Sequence, residues 1–566
     1  TVENDLVSAV YLLLQKMEHL EQNQNITVNC CRKQKEFYEI PRSERMTCIH
    51  SLEEYRLISN EEYFARFGEI EAALEEIRIE WDKETPGQKQ EEIKKLEEKV
   101  KGYPDWMKIH LLSFCMKAGN DKETARRLLD VVLNADYAQV GEYNKLSHYW
   151  QISTAIFENK QLESFEAEFR LARLYKELFQ SFAAVLGAKG RKYIPAAERN
   201  KNLVFVFSSQ VLGMLHAPTK TLLDRCYVLQ KYMRKRVLIV NTAMQIPRKG
   251  AAPFFEMKDS VYNAEYLTKT ELEYKGEHFA FLQCEDDMPN LDTIVSLAKL
   301  VVTQKPEFLL NIGGSDICAD ICGLFVPEIT VSTVFSKLPF SCGEYQIVDK
   351  ELTEEDVAIL RELEVKKENV KRTLFTFSFK EQEHHFTKEQ LGFREEQFVL
   401  LIVGWRLDEE ISDEFLQMLD SVCRKDARIV AAFMGKYQNY EESIKKYPLL
   451  AANSRCLGAQ EDALAVTECM DLYVNPKRNG GGSSVAEALY KGLPAVTLPV
   501  GDVSAAAGES FRVADYGEMA ETILHFASDE DYYERMSRLA EERAEQLMDS
   551  KNSFCGVIDE LEQDMN

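Results

Sequence analysis

No stretch of this 566-residue chain approaches the roughly 20 consecutive apolar residues that a bilayer-spanning helix needs. Leu6 to Leu14 is partly apolar, but it carries Ser8 and has neither a basic start nor a cleavage pattern, so no secretory leader is expected. Paired Cys-x-x-Cys motifs are absent too. The 13 cysteines are scattered singly apart from Cys30-Cys31 and Cys318-x-x-x-Cys322, the pattern of reduced, mostly buried thiols in a cytoplasmic protein. Basic residues are in deficit: 69 against 94 acidic ones leave a net charge of −25, which argues against a nucleic-acid backbone or an anionic membrane surface as partner. The Gly-x-x-x-x-Gly-Lys-Ser/Thr loop of ATP hydrolases does not occur. His384-His385 has no Glu-x-x-His partner, and Glu285-Asp-Asp287 is a single acidic turn after a strand, so no metal site is expected.

What is present is the balance of an ordinary globular protein, 45% hydrophobic and 29% charged, in a chain too long for one core. Residues 1–195 carry helical spacing almost throughout, as in Ile93, Leu96 and Val100, and in Ala125, Leu128, Leu129 and Val132. From about residue 200 short apolar runs alternate with helical segments. Leu203–Phe207, Val237–Val240, Phe279–Leu282, Phe308–Ile312 and Ile329–Ser332 read as strands buried on both faces, and Asn290 to Val302 as a capped crossover helix. A second series comprises Phe398–Val403, Ile429–Phe433, Leu472–Asn475 and Ala495–Leu498, with the charged stretch Glu351–Gln397 as the connection. The expected organisation is an all-helical domain (1–195), two Rossmann-like α/β domains (196–385 and 386–530) facing across a cleft, and a C-terminal helical segment (531–566).

Asn475-Pro-Lys-Arg-Asn-Gly-Gly-Gly-Ser-Ser-Val-Ala-Glu487 is the most chemically suggestive stretch. Gly480, Gly481 and Gly482 let backbone approach a ligand closely, and the helix expected over Val485–Lys491 turns free N–H groups and partial positive charge toward an anion. Ser483 and Ser484 are positioned to cap that helix, and Lys477 and Arg478 lie beside the loop. The same residues admit a plainer reading: Ser484-x-x-Glu487 matches a capping box, which needs no ligand. Capping alone does not call for three glycines and two cations.

Two doubly wound domains with a glycine-rich loop in the second are similar to nucleotide-sugar-dependent glycosyltransferases of the GT-B architecture. The resemblance is carried by Lys388 to Leu407, which looks like the start of the donor-binding domain, and by Asn475 to Val503, which looks like the diphosphate loop and its following strand. It implies that a nucleotide sugar, with a uracil-type base, lies against the C-terminal domain with its diphosphate over Gly480–Ser484 and Glu487 on the ribose hydroxyls. Arg406 and Arg478 would clamp the diphosphate, with Lys436 a weaker choice and a surface pair with Asp408 or Glu409 the alternative for Arg406. The chain departs from the pattern at two places. Many retaining members carry two glutamates separated by seven residues, where Asn479 precedes Glu487 here, and a lysine five residues after the arginine, where Ile411 stands.

On the acceptor side, Ser208 to Lys220 looks like the loop where inverting relatives keep a histidine, and it resembles bacterial protein glycosyltransferases with an all-helical N-terminal domain. His216 would then deprotonate an acceptor hydroxyl; as a plain fold element it is a histidine satisfied in a helix-entry turn. Lys220 either binds an anion at that helix start or is solvated. Gly313 and Gly314, in Asn311–Asp316, reverse the chain or contact substrate. The expected function is sugar transfer from a nucleotide diphosphate sugar to a protein, peptide or glycan acceptor, without a further cofactor, the helical domain suggesting a protein partner. A catalytically silent relative and a sugar-nucleotide epimerase are the alternatives.

Overall fold

The computed structural model describes residues 74–75, 78–79, 85–99, 105–135, 142–245, 254–258 and 262–565, apart from 189, 215, 286–287 and 336. Cys30-Cys31, Leu6–Leu14, Val100 and Asp286-Asp287 lie outside the described residues, as does the Leu96 side chain.

Among the described residues, the first helices with complete bounds are α1 (Pro86–Lys99), α2 (Asp105–Gly119), α3 (Lys122–Asn134), α4 (Glu142–Glu158) and α5 (Phe165–Val185). Each start that can be traced is chemically marked. The Asp121 carboxylate accepts from Thr124 N–H to cap α3, and Ser164 does the same for α5 through Ala167 N–H. The stripe Ala125, Leu128, Leu129, Val132 is fully buried, as the helical spacing requires. These helices do not close on a core of their own: Leu128, Leu171, Tyr175 and Phe182 share one hydrophobic cluster with Phe205, Phe207 and Leu309 of the first sheet. The helical region therefore grips one face of the first α/β domain.

That domain holds eight strands: β1 (Asn200–Ser208), β2 (Arg236–Asn241), β3 (Glu271–Tyr274), β4 (Glu277–Gln283), β5 (Pro306–Ile312), β6 (Glu328–Val331), β7 (Tyr345–Val348) and β8 (Val370–Arg372). Their order is β3-β4-β2-β1-β5-β6-β7-β8, parallel except for the β3–β4 hairpin. Helix α6 (Ala217–Lys231) follows β1, and α7 (Leu291–Gln304), capped by Asn290, precedes β5. One sequence expectation fails here. β4 is not buried on both faces; its residues alternate in and out, because it lies next to the hairpin edge, where one face meets solvent.

The second domain is a five-stranded parallel sheet of β9 (Phe398–Gly404), β10 (Ile429–Gly435), β11 (Ser454–Gly458), β12 (Leu472–Val474) and β13 (Ala495–Val496), in the order β11-β10-β9-β12-β13. Helices α8 (Gly482–Tyr490) and α9 (Gly501–Ala507) flank its last strands. The charged C-terminus splits between the domains. Helix α10 (Glu530–Met548) packs Met536, Ala540, Ala544 and Leu547 into the second core; α11 (Ser550–Asp564) returns to the first, burying Phe554, Val557, Ile558 and Leu561 there. Lys235 ties that return through Glu562 at 2.7 Å.

Each sheet reverses direction once. In the first, the loops after β1 and β5 part at the reversal; in the second, those after β9 and β12 do. Open α/β sheets bind ligands at such switch points, beyond the carboxyl ends of the strands. The residues singled out in the sequence fall on all four of these loops and the helices they start, except Lys436, which follows β10.

Candidate active site

The loop after β12 is built around a buried guanidinium. Arg478 is 4% exposed and donates from Nε to Asn475 Oδ1 at 2.7 Å, from Nη1 to Glu410 Oε2 at 3.0 Å and from Nη2 to the Tyr473 hydroxyl at 2.9 Å. Glycines make room for it: a Cβ on Gly481 would stand 2.6 Å from Nη2, and one on Gly404 2.8 Å from Nη1. Gly481 also has φ of 102°, where L side chains are strained, and it is the N-cap of α8, with no side chain capping the helix. The first N–H groups of a helix have no carbonyl behind them, so this turn offers donors to an anion. The capping-box reading of Ser484 and Glu487 is not what forms. Ser484 lies inside the helix, its hydroxyl donating to Gly481 O at 2.8 Å and 2.7 Å from the Tyr473 hydroxyl, while Glu487 reaches across the cleft.

From the opposite side, α6 presents its first turn. His216 is its N-cap residue, with Nδ1 2.9 Å from the Thr219 hydroxyl, and burial lowers its pKa from 6.5 to about 4, so the ring is neutral near pH 7. One turn on, Lys220 Nζ lies 3.4 Å from Glu487 Oε1 and 3.5 Å from Ser483 Oγ. Burial pushes the Glu487 carboxyl above its ordinary pKa, and the Lys220 charge pulls it back. The helical domain closes a third side. Asn479 donates from Nδ2 to the carbonyl of Phe157, at the end of α4, at 2.9 Å, and the Arg406 guanidinium lies 5.4 Å from the Phe157 ring centroid. The Asp502 carboxylate, on α9, accepts from Phe335 N–H of the first domain at 2.9 Å.

Residues 383–543 match the family model described as Glycosyl transferases group 1. The second α/β domain is a group 1 glycosyltransferase domain. No curated protein matches the chain. Among solved structures, the chain is similar to a Thermobaculum terrenum O-GlcNAc transferase mutant, at 12% identity over 88% of this chain and 98% of that one, TM-score 0.47. It is similar also to Anabaena Alr3699/HepE in complex with UDP, at 12% identity over 64% of this chain and 100% of that one, TM-score 0.45. S. aureus TarM, in a mutant complexed with fondaparinux, α-GlcNAc-glycerol and UDP, matches at 12% identity over 63% and 99%, TM-score 0.42.

Within the glycosyltransferase domain the predicted donor residues separate into two kinds. Gly480, Gly481, Ser483 and Glu487 line the uncapped turn and its cleft side, whereas Gly482 faces Phe335 and Phe377, which a Cβ there would meet at 3.1 and 3.2 Å. Arg406 stands at the carboxyl end of β9, one-third exposed, with Nη2 3.6 Å from where a Gly480 Cβ would be. Its ion-pair partner is neither Asp408 nor Glu409 but Glu410, at 3.0 Å, one turn along the short helix Leu407–Glu410. Lys436 is exposed beyond β10, where its backbone, not its ammonium, is bonded to Gly404 and Leu407. On the first domain, Gly313 and Gly314 have positive φ, and a Cβ on Gly314 would come within 2.9 Å of Phe340 O. That turn brings Ser315 to the Tyr149 hydroxyl of α4 at 2.7 Å, so it joins domains as well as reversing the chain.

The sequence reading missed Glu410, Tyr473 and Phe157. Glu410 had a signal, its i+4 spacing from Arg406. Phe157 had none, being 322 positions from the residue it meets. Among the described residues no helix is long and apolar enough to cross a membrane, and no group of three or more His, Cys, Asp or Glu is arranged to hold a metal.

Proposed function

We propose that the chain transfers a hexosyl group from a nucleoside diphosphate sugar, UDP-linked, to a protein, peptide or glycan hydroxyl in the cytoplasm. The observation that carries this is the meeting of two switch points: Lys220, at the start of α6, faces Ser483 and Glu487 on the uncapped turn of a group 1 glycosyltransferase domain. The ten described cysteines, all free, suit a reducing compartment.

In this reading the diphosphate lies over Gly480–Ser483 and Glu487 accepts from the ribose hydroxyls. The acceptor oxygen bonds to the anomeric carbon while the bond from that carbon to the diphosphate oxygen breaks, its electron pair leaving on the diphosphate. The acceptor proton passes to neutral His216 if the configuration inverts. Fixed cations and helix N–H groups meet the leaving charge, and no further cofactor enters. The helical domain, which lines the cleft through Phe157, is where a protein acceptor is read.

One observation favours a second reading, a catalytically silent relative that holds a partner: Asn479 is tied to the helical domain and Arg478 to its own loop. A thermal-shift screen with UDP, GDP, ADP and dTDP, followed by measurement of nucleoside diphosphate release from the matching sugars, tests both. The proposal expects a stabilising shift and acceptor-dependent release. Glu487→Ala should weaken nucleotide binding about 10- to 100-fold, the worth of a charged hydrogen-bond acceptor. No shift with any nucleotide refutes the donor site; a shift without release favours the silent relative; and a sugar nucleotide altered without acceptor would signal an epimerase.

A further inference from the structure

We infer that Lys220, although it belongs to the first domain, is the cation that receives the β-phosphate of the donor. The inference rests on the donor-site reading above and assigns the charge that faces the phosphate.

The cations around the glycine loop are not equivalent. Arg478 is buried, and all three of its nitrogens serve Asn475, Glu410 and Tyr473. Turning it toward a ligand would strip Glu410 of a partner and empty the space that Gly404 and Gly481 leave for it. Arg406 is held by Glu410 and lies over Phe157. Lys436 and Lys477 point to solvent. Lys220 is different in kind: its side chain is only 15% exposed, yet its ammonium, a three-proton donor, makes two contacts, at 3.4 and 3.5 Å. Charge-assisted N–H···O bonds settle at roughly 2.7–2.9 Å, so both contacts are slack. Glu487 is equally under-supplied, 14% exposed with Lys220 as its ion partner.

A desolvated ion pair with spare donors and slack geometry is an expensive resting arrangement. A phosphate oxygen entering between α6 and the first turn of α8 would give the ammonium a short contact while keeping Ser483 beside it. Glu487, released from sole charge of Lys220, would turn to the ribose. The contact joins the two α/β domains, so the donor would also fasten the cleft from both sides. As the bond to the anomeric carbon breaks, charge accumulates on the phosphate oxygen that Lys220 faces, so the lysine contributes most as the leaving group departs.

Calorimetric titration of the wild-type chain, Lys220→Met, Lys220→Gln and Lys220→Arg with UDP, GDP, ADP and dTDP, and with the parent nucleosides, tests this. Removing the charge should cost the diphosphate about 10- to 100-fold in affinity, the worth of a hydrogen bond to a charged group, and turnover about 10²- to 10³-fold, as loss of one oriented donor to a developing anion does. Binding of the parent nucleoside should not weaken, since Lys220 is assigned to the phosphate alone and its removal leaves Glu487 free for the ribose, and Lys220→Arg should recover most of the loss. Equal diphosphate affinity in wild type and Lys220→Met overturns the inference. Parallel loss of nucleoside and diphosphate overturns it too, by making Lys220 a structural strut. If Lys220→Met does not fold, Lys220→Gln carries the same comparison. Failure of every nucleotide to bind the wild type refutes the donor site itself, and the role of Lys220 with it.

Discussion

Arg478 was expected from the sequence to clamp a diphosphate; its surroundings make replacement by alanine first of all a test of stability. The side chain is 4% exposed, and Glu410, itself 9% exposed, is its charge partner. Arg478→Ala removes three hydrogen bonds, opens a void between Gly404 and Gly481, and leaves Glu410 with Arg406 alone. Breaking a buried ion pair by deleting one member costs roughly 3–5 kcal/mol, and because Arg406 still faces Glu410 at 3.0 Å the lower end applies, about 3 kcal/mol. For a unit of 150–250 residues, where 1 kcal/mol moves the midpoint by roughly 2–4 °C, the glycosyltransferase domain should melt about 6–12 °C lower. Arg406→Ala provides the contrast. That side chain is one-third exposed, so its pair with Glu410 is worth at most about 1 kcal/mol to the fold, and the loss should fall on nucleotide affinity instead. Scanning calorimetry with nucleotide titration on both variants separates the roles. An Arg478→Ala protein with an unchanged melting profile and abolished nucleotide binding would refute the reasoning and return Arg478 to the ligand.

The His216 pKa, lowered from 6.5 to about 4, fixes the sign of a pH effect. The unfolded chain takes up a proton below pH 6.5 that the folded chain refuses until about pH 4, so stability falls as pH drops through that window and the penalty levels off below it. His216→Asn should flatten this segment of a denaturation-versus-pH curve, and an unaltered curve would show that His216 is not buried neutral. Asn479→Asp should destabilise the junction between domains by about 1–3 kcal/mol at neutral pH. It sets a carboxylate, with nothing to donate, against the Phe157 carbonyl in a position 4% exposed. Urea titration at pH 7 and pH 4 checks it, the loss shrinking at the lower pH as the carboxyl regains a proton to donate.

Central strands were legible in the sequence and edge strands were not. β1, β5, β9 and β10 are covered on both sides and so show as unbroken apolar runs. β8, with Lys371 and Arg372, and β11, with Arg455 and Cys456 exposed, pair on one side only and need no such run. The Glu271–Gln283 hairpin showed only its inner half, because β3 is polar on its open face. The glycine loop was legible because its requirement is local: positive φ at Gly481 and space for Arg478. What it meets is not local. Lys220 and Glu487 are 267 positions apart, and no pattern in either segment encodes the distance that folding closes.

The departure at 479 has a physical account that the sequence comparison alone lacked. A glutamate at this position would bring two oxygens and no amide donor to the Phe157 carbonyl, which Asn479 Nδ2 meets at 2.9 Å. An asparagine instead donates to that carbonyl from Nδ2 and keeps Oδ1 free of protein partners. The amide is thus what lets the end of α4 settle onto the glycosyltransferase domain, and the Arg406 guanidinium over the Phe157 ring strengthens the same junction. Once α4 is seated, the cleft has three walls rather than two: α6 with His216 and Lys220, the glycine turn with Glu487, and the helical domain with Phe157. The Asn479 amide at the loop and the helical wall are thus two sides of one contact, and the helical domain lines the cleft rather than standing beside it.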